Sequence, residues 1–295
     1  MNAIVPSLVK KVKEVEPEAG RLIGALLVDA GRLTPEGRDN ILRFQKERDL
    51  LFCEAGLNLG LLKQDDVRFV LAQQLHHIGG TARESPVAPE ILAVHQPDHP
   101  CVEAIRTLRS QLMLRWLDKR VDGKCLAVVG VEERVGRSFI IANLAALFSQ
   151  LGQRTLLIDA NMRSPRLHQI FNLYNWSGLS SMLADQADDG AIILISAVAG
   201  LSVLPAGPVP NNPQELLSGQ KFKTVIETVS RDYDVVLLDT PAWKCGADAQ
   251  IIASRAGTAL LVTRPAQSVA QPTIAFIDML SQSGVRVVGA VMNQF

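Results

Sequence analysis

Short apolar runs without polar alternation, spaced a helix apart, constrain this chain more than any other feature. They read LAVV (126–129), TLLI (155–158), LSVL (201–204), VVLL (235–238), TALLV (258–262) and VRVVGAV (285–291). A strand with no polar face must be covered on both sides, as strands are in a parallel sheet layered between helices. Strand–helix–strand repetition from 126 to 291 therefore predicts an α/β fold with a doubly wound, mostly parallel sheet.

What precedes it is different in kind. Laid over itself at an offset of 29 residues, the N-terminal region matches Leu22 with Leu51, Gly31 with Gly60, Leu33 with Leu62, Leu42 with Leu71 and Gln45 with Gln74. Each copy reads as a helix, a Gly-Leu turn and a second helix, with Thr34 and Pro35 as N-cap and first helical residue of the first copy. Two such hairpins cover each other's apolar faces, which predicts a small all-helical domain over residues 20–78. Residues 79–100 hold two glycines and four prolines and read as a linker. An amphipathic helix is expected over 101–119, with Ile105, Leu108, Leu112 and Trp116 on one face and Glu103, Arg106 and Arg109 on neighbouring turns. The α/β domain is assigned to residues 101–295.

Composition excludes several classes. Hydrophobic residues make up 47% of the 295, ample for a buried core, and 30 Lys+Arg balance 30 Asp+Glu. That balance argues against an obligate nucleic-acid binder. Four scattered cysteines without a CxxC exclude a disulfide scaffold or a zinc module and suit a reducing compartment. The first residues have no apolar signal-peptide core, and the longest uncharged stretch, 191–214, is broken by Gly200, Pro205, Pro208, Pro210 and Pro213. A cytoplasmic protein without a membrane span is the expectation.

In a doubly wound sheet, ligands bind beyond the carboxyl ends of the strands. After the first run comes Gly130-Val131-Glu132-Glu133-Arg134-Val135-Gly136-Arg137-Ser138 and then the apolar helix beginning at Phe139. Such a loop, opening a helix, offers backbone N–H groups and the helix dipole to a phosphate, and Ser138 stands where a hydroxyl meets Mg²⁺. Glu132 and Glu133 would repel an anion and are expected to point outward. The next two runs end in Asp159-Ala-Asn161-Met-Arg163 and Asp239-Thr240-Pro241. An Asp just beyond a buried strand holds a Mg²⁺-bound water or caps the following helix; three such ends in order favour the first. Trp243 is expected to pack or to border the nucleotide.

These motifs, with the Pro-rich PVPNNPQELL of 208–217 and the Glu103-x-x-Arg106-x-x-Arg109 spacing, resemble the bacterial tyrosine kinases, P-loop proteins of the exopolysaccharide chain-length-determinant subgroup. The resemblance implies ATP and Mg²⁺ as cofactors. The loop from Arg134 to Phe139 would bind the nucleotide, with Val135, Gly136, Arg137 and Ser138 between them. Ser138, Asp159 and Asp239 would serve the metal, and Asp159, Asp239 and Arg163 the chemistry. Glu103, Arg106 and Arg109 would pack subunits into a homo-oligomeric ring, a reading preferred because all three fit one motif just ahead of the first strand; the alternative for the two arginines is the solvated face of an amphipathic helix. The implied partner is a membrane polysaccharide copolymerase acting in trans, which places the protein at the inner face of the plasma membrane, peripheral to it.

The sequence departs from that pattern in three places. Arg137 stands for the loop lysine, Asn161 for the second Asp of the DxD box, and the tyrosine-rich tail is absent, Tyr174 and Tyr233 being the only tyrosines. An inactive, ring-forming scaffold is therefore the alternative to a kinase, and a partitioning-type ATPase a third reading. The N-terminal repeat resembles the opening domain of type II secretion and pilus ATPases. Some of these bind cyclic di-GMP through Arg-Leu-Gly; here the matching positions read Leu22-Ile23-Gly24 and Leu51-Phe52-Cys53, which favours packing against a partner.

Overall fold

All six runs read as strands are strands, and they lie parallel. The computed structural model describes residues 27–28, 32–48, 52–63, 66, 87–117, 123–185, 191–265 and 267–294. β1 is Cys125–Val129, β2 Thr155–Asp159, β3 Ile193–Leu194, β4 Leu201–Leu204, β5 Val235–Asp239, β6 Thr258–Thr263 and β7 Arg286–Met292. Their order in the sheet is β3-β4-β2-β5-β1-β6-β7. β3, two residues on one edge within the apolar run AIILI of 191–195, is the sole antiparallel member among the described residues.

The absence of polar alternation has the expected cause. On β1, Leu126 and Val128 enter one apolar layer while Cys125, Ala127 and Val129 enter the other. Helix Arg137–Gln150 lies on the first side, and helices Gln220–Asp232, Asp248–Ala256 and Ala270–Gln282 contribute to the second. Each fully buried Leu or Ile contributes roughly 1.5–3 kcal/mol, so the two layers dominate the stability of this unit.

The chain divides into two compact units, Met1–Glu84 and Ser85–Phe295. In the second, part of the expected linker turns out to be structure. Val87, Ile91 and Ala93 are buried in the first layer, and the Ala88 N–H donates to the Ile170 carbonyl at 2.9 Å. Asn143, fully buried, straps this segment down: its Oδ1 accepts from Ala93 N at 3.0 Å and its Nδ2 donates to Glu90 O at 2.9 Å. A proline-rich composition marked the missing periodicity correctly but said nothing about an anchor supplied by another helix. Residues 79–86 lie outside the described residues. The helix expected from 101 is α-helical over Pro100–Leu112, with His99 Nδ1 capping Cys101 N at 3.1 Å, and passes into a π-turn over Met113–Leu117.

The first unit carries the repeat in its hydrogen bonds. Arg32 N and Leu33 N both donate to Leu27 O, at 2.9 and 3.1 Å; 29 positions later, Leu61 N and Leu62 N donate to Gly56 O, at 3.0 and 3.1 Å. Thr34 Oγ1 accepts from Gly37 N at 3.1 Å, so helix Pro35–Arg48 has the cap its sequence proposes. The second described helix here is Phe52–Asn58, and Leu27, Leu33, Ile41, Phe52, Ala55 and Leu62 form the core. The remainder of the repeat, with His76 and His77, lies outside the described residues. No described helix of either unit is long and apolar enough to cross a membrane.

Candidate nucleotide and metal site

The loop after β1 has the construction of an anion cradle. Gly136 precedes helix Arg137–Gln150 with φ 98°, a left-handed conformation that suits glycine. A Cβ there would collide with Asn293 Nδ2. Asn293, beyond the end of β7, donates that Nδ2 to Val135 O at 2.9 Å, while its own N–H donates to Thr263 O at 2.8 Å. The far side of the sheet thus fixes the loop from behind. Among the described residues, the backbone N–H groups from Arg134 to Phe139 meet no protein acceptor. A run of free N–H groups at a helix start is suited to phosphate oxygens. Only the backbone of Val135 and Phe139 is available to it, because the Val135 side chain is buried and Phe139 packs against the core.

Arg137 is built into the wall of this loop. It is 8% exposed, and its Nε donates to Thr240 O at 3.0 Å, while Nη1 donates to Glu132 O at 2.6 Å and Gly130 O at 3.4 Å. Burial pulls its pKa below the ordinary arginine value, against the attraction of Asp239. Nη2 alone is left for a ligand among the described residues.

Two carboxylates face each other across neighbouring strands. Asp159 and Asp239 are in register at the ends of β2 and β5, both fully buried. Ser138 Oγ donates to Asp239 Oδ2 at 2.5 Å, and Asp239 Oδ1 is buried and has no hydrogen-bond partner among the described residues. Asp159 Oδ2 accepts from Arg166 N and Leu167 N, each at 3.0 Å, and Oδ1 from Asn161 N at 3.2 Å. Burial pushes Asp159 up to about 8, with the Asp239 charge adding to it and the three N–H groups opposing. Burial also raises Asp239, to about 6, where Ser138 and Arg137 restrain it. A like-charged buried pair with an orphaned oxygen fits a cation. Among the described residues no cluster of three or more His, Cys, Asp or Glu could hold a metal alone. One or two carboxylates and a hydroxyl are instead the donor set that Mg²⁺ completes with water and phosphate oxygens.

The rest of the second box is occupied by structural bonds. Arg163 Nε and Nη2 grip both oxygens of Asp248, a residue the sequence did not single out, at 2.8 and 2.9 Å. Asn161 Nδ2 donates to Ser164 O at 2.8 Å and its Oδ1 accepts from Ser164 N at 3.1 Å, which closes the 161–164 turn on itself.

Glu132 corrects the expectation that both loop glutamates point outward. Glu133 is exposed, but Glu132 is 7% exposed, and among the described residues neither of its carboxylate oxygens accepts a hydrogen bond. Lys244 Nζ stands 3.5 Å from its Oε1. Trp243 packs: its ring stacks on Phe276 with centroids 5.0 Å apart, and Trp243 N and Lys244 N donate to Gly130 O and Val131 O. On helix Pro100–Leu112, Arg106 pairs with Glu103 at 3.1 Å within the helix. Arg109 Nη1 donates to Leu147 O at 2.9 Å, so this arginine is tied to its own domain.

Comparison with known proteins gives concordant matches. Residues 123–271 match the family described as Cellulose biosynthesis protein BcsQ. Over 204 residues the chain is 36% identical to the tyrosine-protein kinase Wzc of Salmonella typhimurium, an alignment covering 69% of this chain but 28% of that one. It thus spans under a third of that curated relative's length. The kinase domain of the Escherichia coli tyrosine kinase ETK superposes with a TM-score of 0.67 at 31% identity, covering 73% of this chain and 85% of that one. The BceF tyrosine kinase domain does so with a TM-score of 0.63 at 32% identity, covering 69% and 81%.

Proposed function

Because the chain belongs to the bacterial tyrosine-protein kinase family, we propose that its 101–295 region binds Mg²⁺–ATP and transfers the terminal phosphoryl group to protein tyrosine in exopolysaccharide chain-length control and export. The reading rests above all on the registered pair Asp159 and Asp239 with Ser138 on Asp239 Oδ2. In it, N–H groups from Arg134 to Ser138 hold the phosphate oxygens, with Arg137 Nη2 beside them. Ser138 and Asp239 hold Mg²⁺, which when bound neutralises charge on the phosphates. Asp159, whose burial-raised pKa makes its ionised form a stronger base than an exposed carboxylate, would in that form accept the tyrosine hydroxyl proton at Oδ1, the oxygen with one backbone donor rather than two. Arg163 holds the box in place through Asp248.

In the cell this domain works as a ring at the inner face of the plasma membrane, recruited there by a membrane copolymerase in trans. The repeat of 20–78 docks on a partner.

Two observations favour a second reading, a nucleotide-holding scaffold with little chemistry. Arg137 is pinned to three carbonyls, and the Asn161 amide is closed on Ser164. Loss of one preorganised charge is worth about 10²–10³ in rate. Mg²⁺-dependent transfer from labelled ATP to a Glu-Tyr copolymer separates the two. Transfer by the unmodified chain that Asp239→Ala abolishes supports the kinase. Nucleotide binding without transfer overturns it in favour of the scaffold. Light scattering on the double variant Arg106→Ala/Arg109→Ala tests the ring interface: conversion of a large species to monomer supports it, and an unchanged mass removes those residues from it.

A further inference from the structure

We propose that Lys244 supplies the mobile positive charge at the terminal phosphates of the bound nucleotide, and that Glu132 holds it back when no nucleotide is present. This deepens the nucleotide reading above and rests on it.

The loop needs such a charge. Arg137, in the lysine's place, commits Nε and Nη1 to Thr240, Glu132 and Gly130 carbonyls. A planar fork fixed in this way cannot follow a phosphate as a compact ammonium on a four-carbon stem does. Lys244 is placed to act instead. Its backbone N–H is bonded to Val131 O at 3.2 Å, and its neighbour Trp243 is held by Gly130 O and by stacking on Phe276. The root of the lysine is thus fixed at the entry of the phosphate loop while its side chain remains half exposed.

Glu132 is the second observation. Its carboxylate is more than nine-tenths buried, accepts no hydrogen bond, and has Lys244 as its one ion pair among the described residues. A desolvated carboxylate without hydrogen-bond donors is poorly stabilised, and the Lys244 ammonium at 3.5 Å, with the charge of the nearby Arg137 guanidinium, compensates it only in part. The arrangement is a lysine tethered beside the cradle by a weak contact, which a polyphosphate of greater charge can outcompete.

Calorimetric titration with β,γ-imido-ATP and, separately, AMP tests the proposal on the full chain, with thermal melting to confirm folding. Lys244→Ala should weaken imido-ATP binding at least tenfold while leaving AMP nearly unchanged, and Glu132→Gln should tighten imido-ATP. The double variant Glu132→Gln/Lys244→Ala decides the mechanism. If Lys244 touches phosphate, the double variant stays at least tenfold weaker than Glu132→Gln alone. If Lys244 only neutralises Glu132, the double variant recovers the affinity of Glu132→Gln, and the proposal falls. Equal affinity of Lys244→Ala and the unmodified chain also overturns it. Binding by neither the unmodified chain nor Glu132→Gln overturns the nucleotide reading itself, and the proposal with it.

Discussion

Arg163 closes on Asp248 with two parallel bonds, Nε to Oδ2 at 2.8 Å and Nη2 to Oδ1 at 2.9 Å, and Asp248 is 1% exposed. The Asp is the first residue of helix Asp248–Ala256, so the pair ties the loop after β2 to the helix after β5. Arg163→Ala leaves a buried carboxylate without its cation and should lower stability by about 3 kcal/mol in urea unfolding. The double variant with Asp248→Asn should recover much of that loss. Strict additivity of the two would show that the bonds contribute nothing.

A second expectation concerns pH. Asp159 and Asp239 titrate near 3.8 when unfolded and at about 8 and about 6 in the fold. Between those values the folded state holds more protons, so stability is greatest at the acid end and falls as pH rises through the window. Without Mg²⁺ the urea midpoint should be higher near pH 5 than near pH 8, and Mg²⁺ should narrow the gap. Asp239→Asn should reduce the pH dependence and blunt the Mg²⁺ response. Equal midpoints at the two pH values would count against the buried dyad.

Asn161→Asp restores the acid of the family box but not without cost. The carboxylate keeps the bond from Ser164 N, loses the donor to Ser164 O, and sets a third charge beside Asp159. We expect a loss of about 1–3 kcal/mol without Mg²⁺, and a larger Mg²⁺-induced rise in Tm than the unmodified chain shows. An unaltered Tm without Mg²⁺ would mean that the amide contributes nothing to the turn.

The loop is also open to test from behind. Asn293→Ala removes the clamp on Val135 O and should weaken nucleotide binding about tenfold, with ~1 kcal/mol lost from the fold. Gly136→Ala should do more harm, because φ 98° disfavours a side chain and the new methyl meets Asn293. If Gly136→Ala binds nucleotide as the unmodified chain does, the cradle geometry is wrong.

The sheet was legible because five strands announce themselves by burial along nearly their whole length; β7, an edge strand with only Val288 buried, shows itself by its apolar run, and β3, two residues at the other edge, is too short to stand out. Asp159, Asp239 and Ser138 were legible because each ends a strand or opens a helix, so position along the chain is position at the site. Asp248 was not: an acidic residue in the first turn of a helix is ordinary by itself, and its meaning comes from an arginine 85 residues away. Asn293 and Lys244 share that difficulty. Glu132 was misread for another reason. Charge alone argued for solvent, while the fold of the loop carries its side chain inward and places a lysine beside it. The repeat was legible from spacing, and its turn hydrogen bonds recur at the same offset.

The strand order has a kinetic meaning as well. β1 and β2 follow one another along the chain, yet β5 lies between them in the sheet. A nascent or partly folded chain can form the phosphate loop and the segment bearing Asp159, but it cannot bring them to their final spacing. That requires the strand ending in Asp239 to insert, and contacts so distant in sequence form late and slowly. On the proposed nucleotide reading, ligand affinity would therefore serve as a clock for the protein's own maturation. A chain that held nucleotide would have threaded its central strand, while one stalled before that step exposes two unpaired edges to whatever surrounds it.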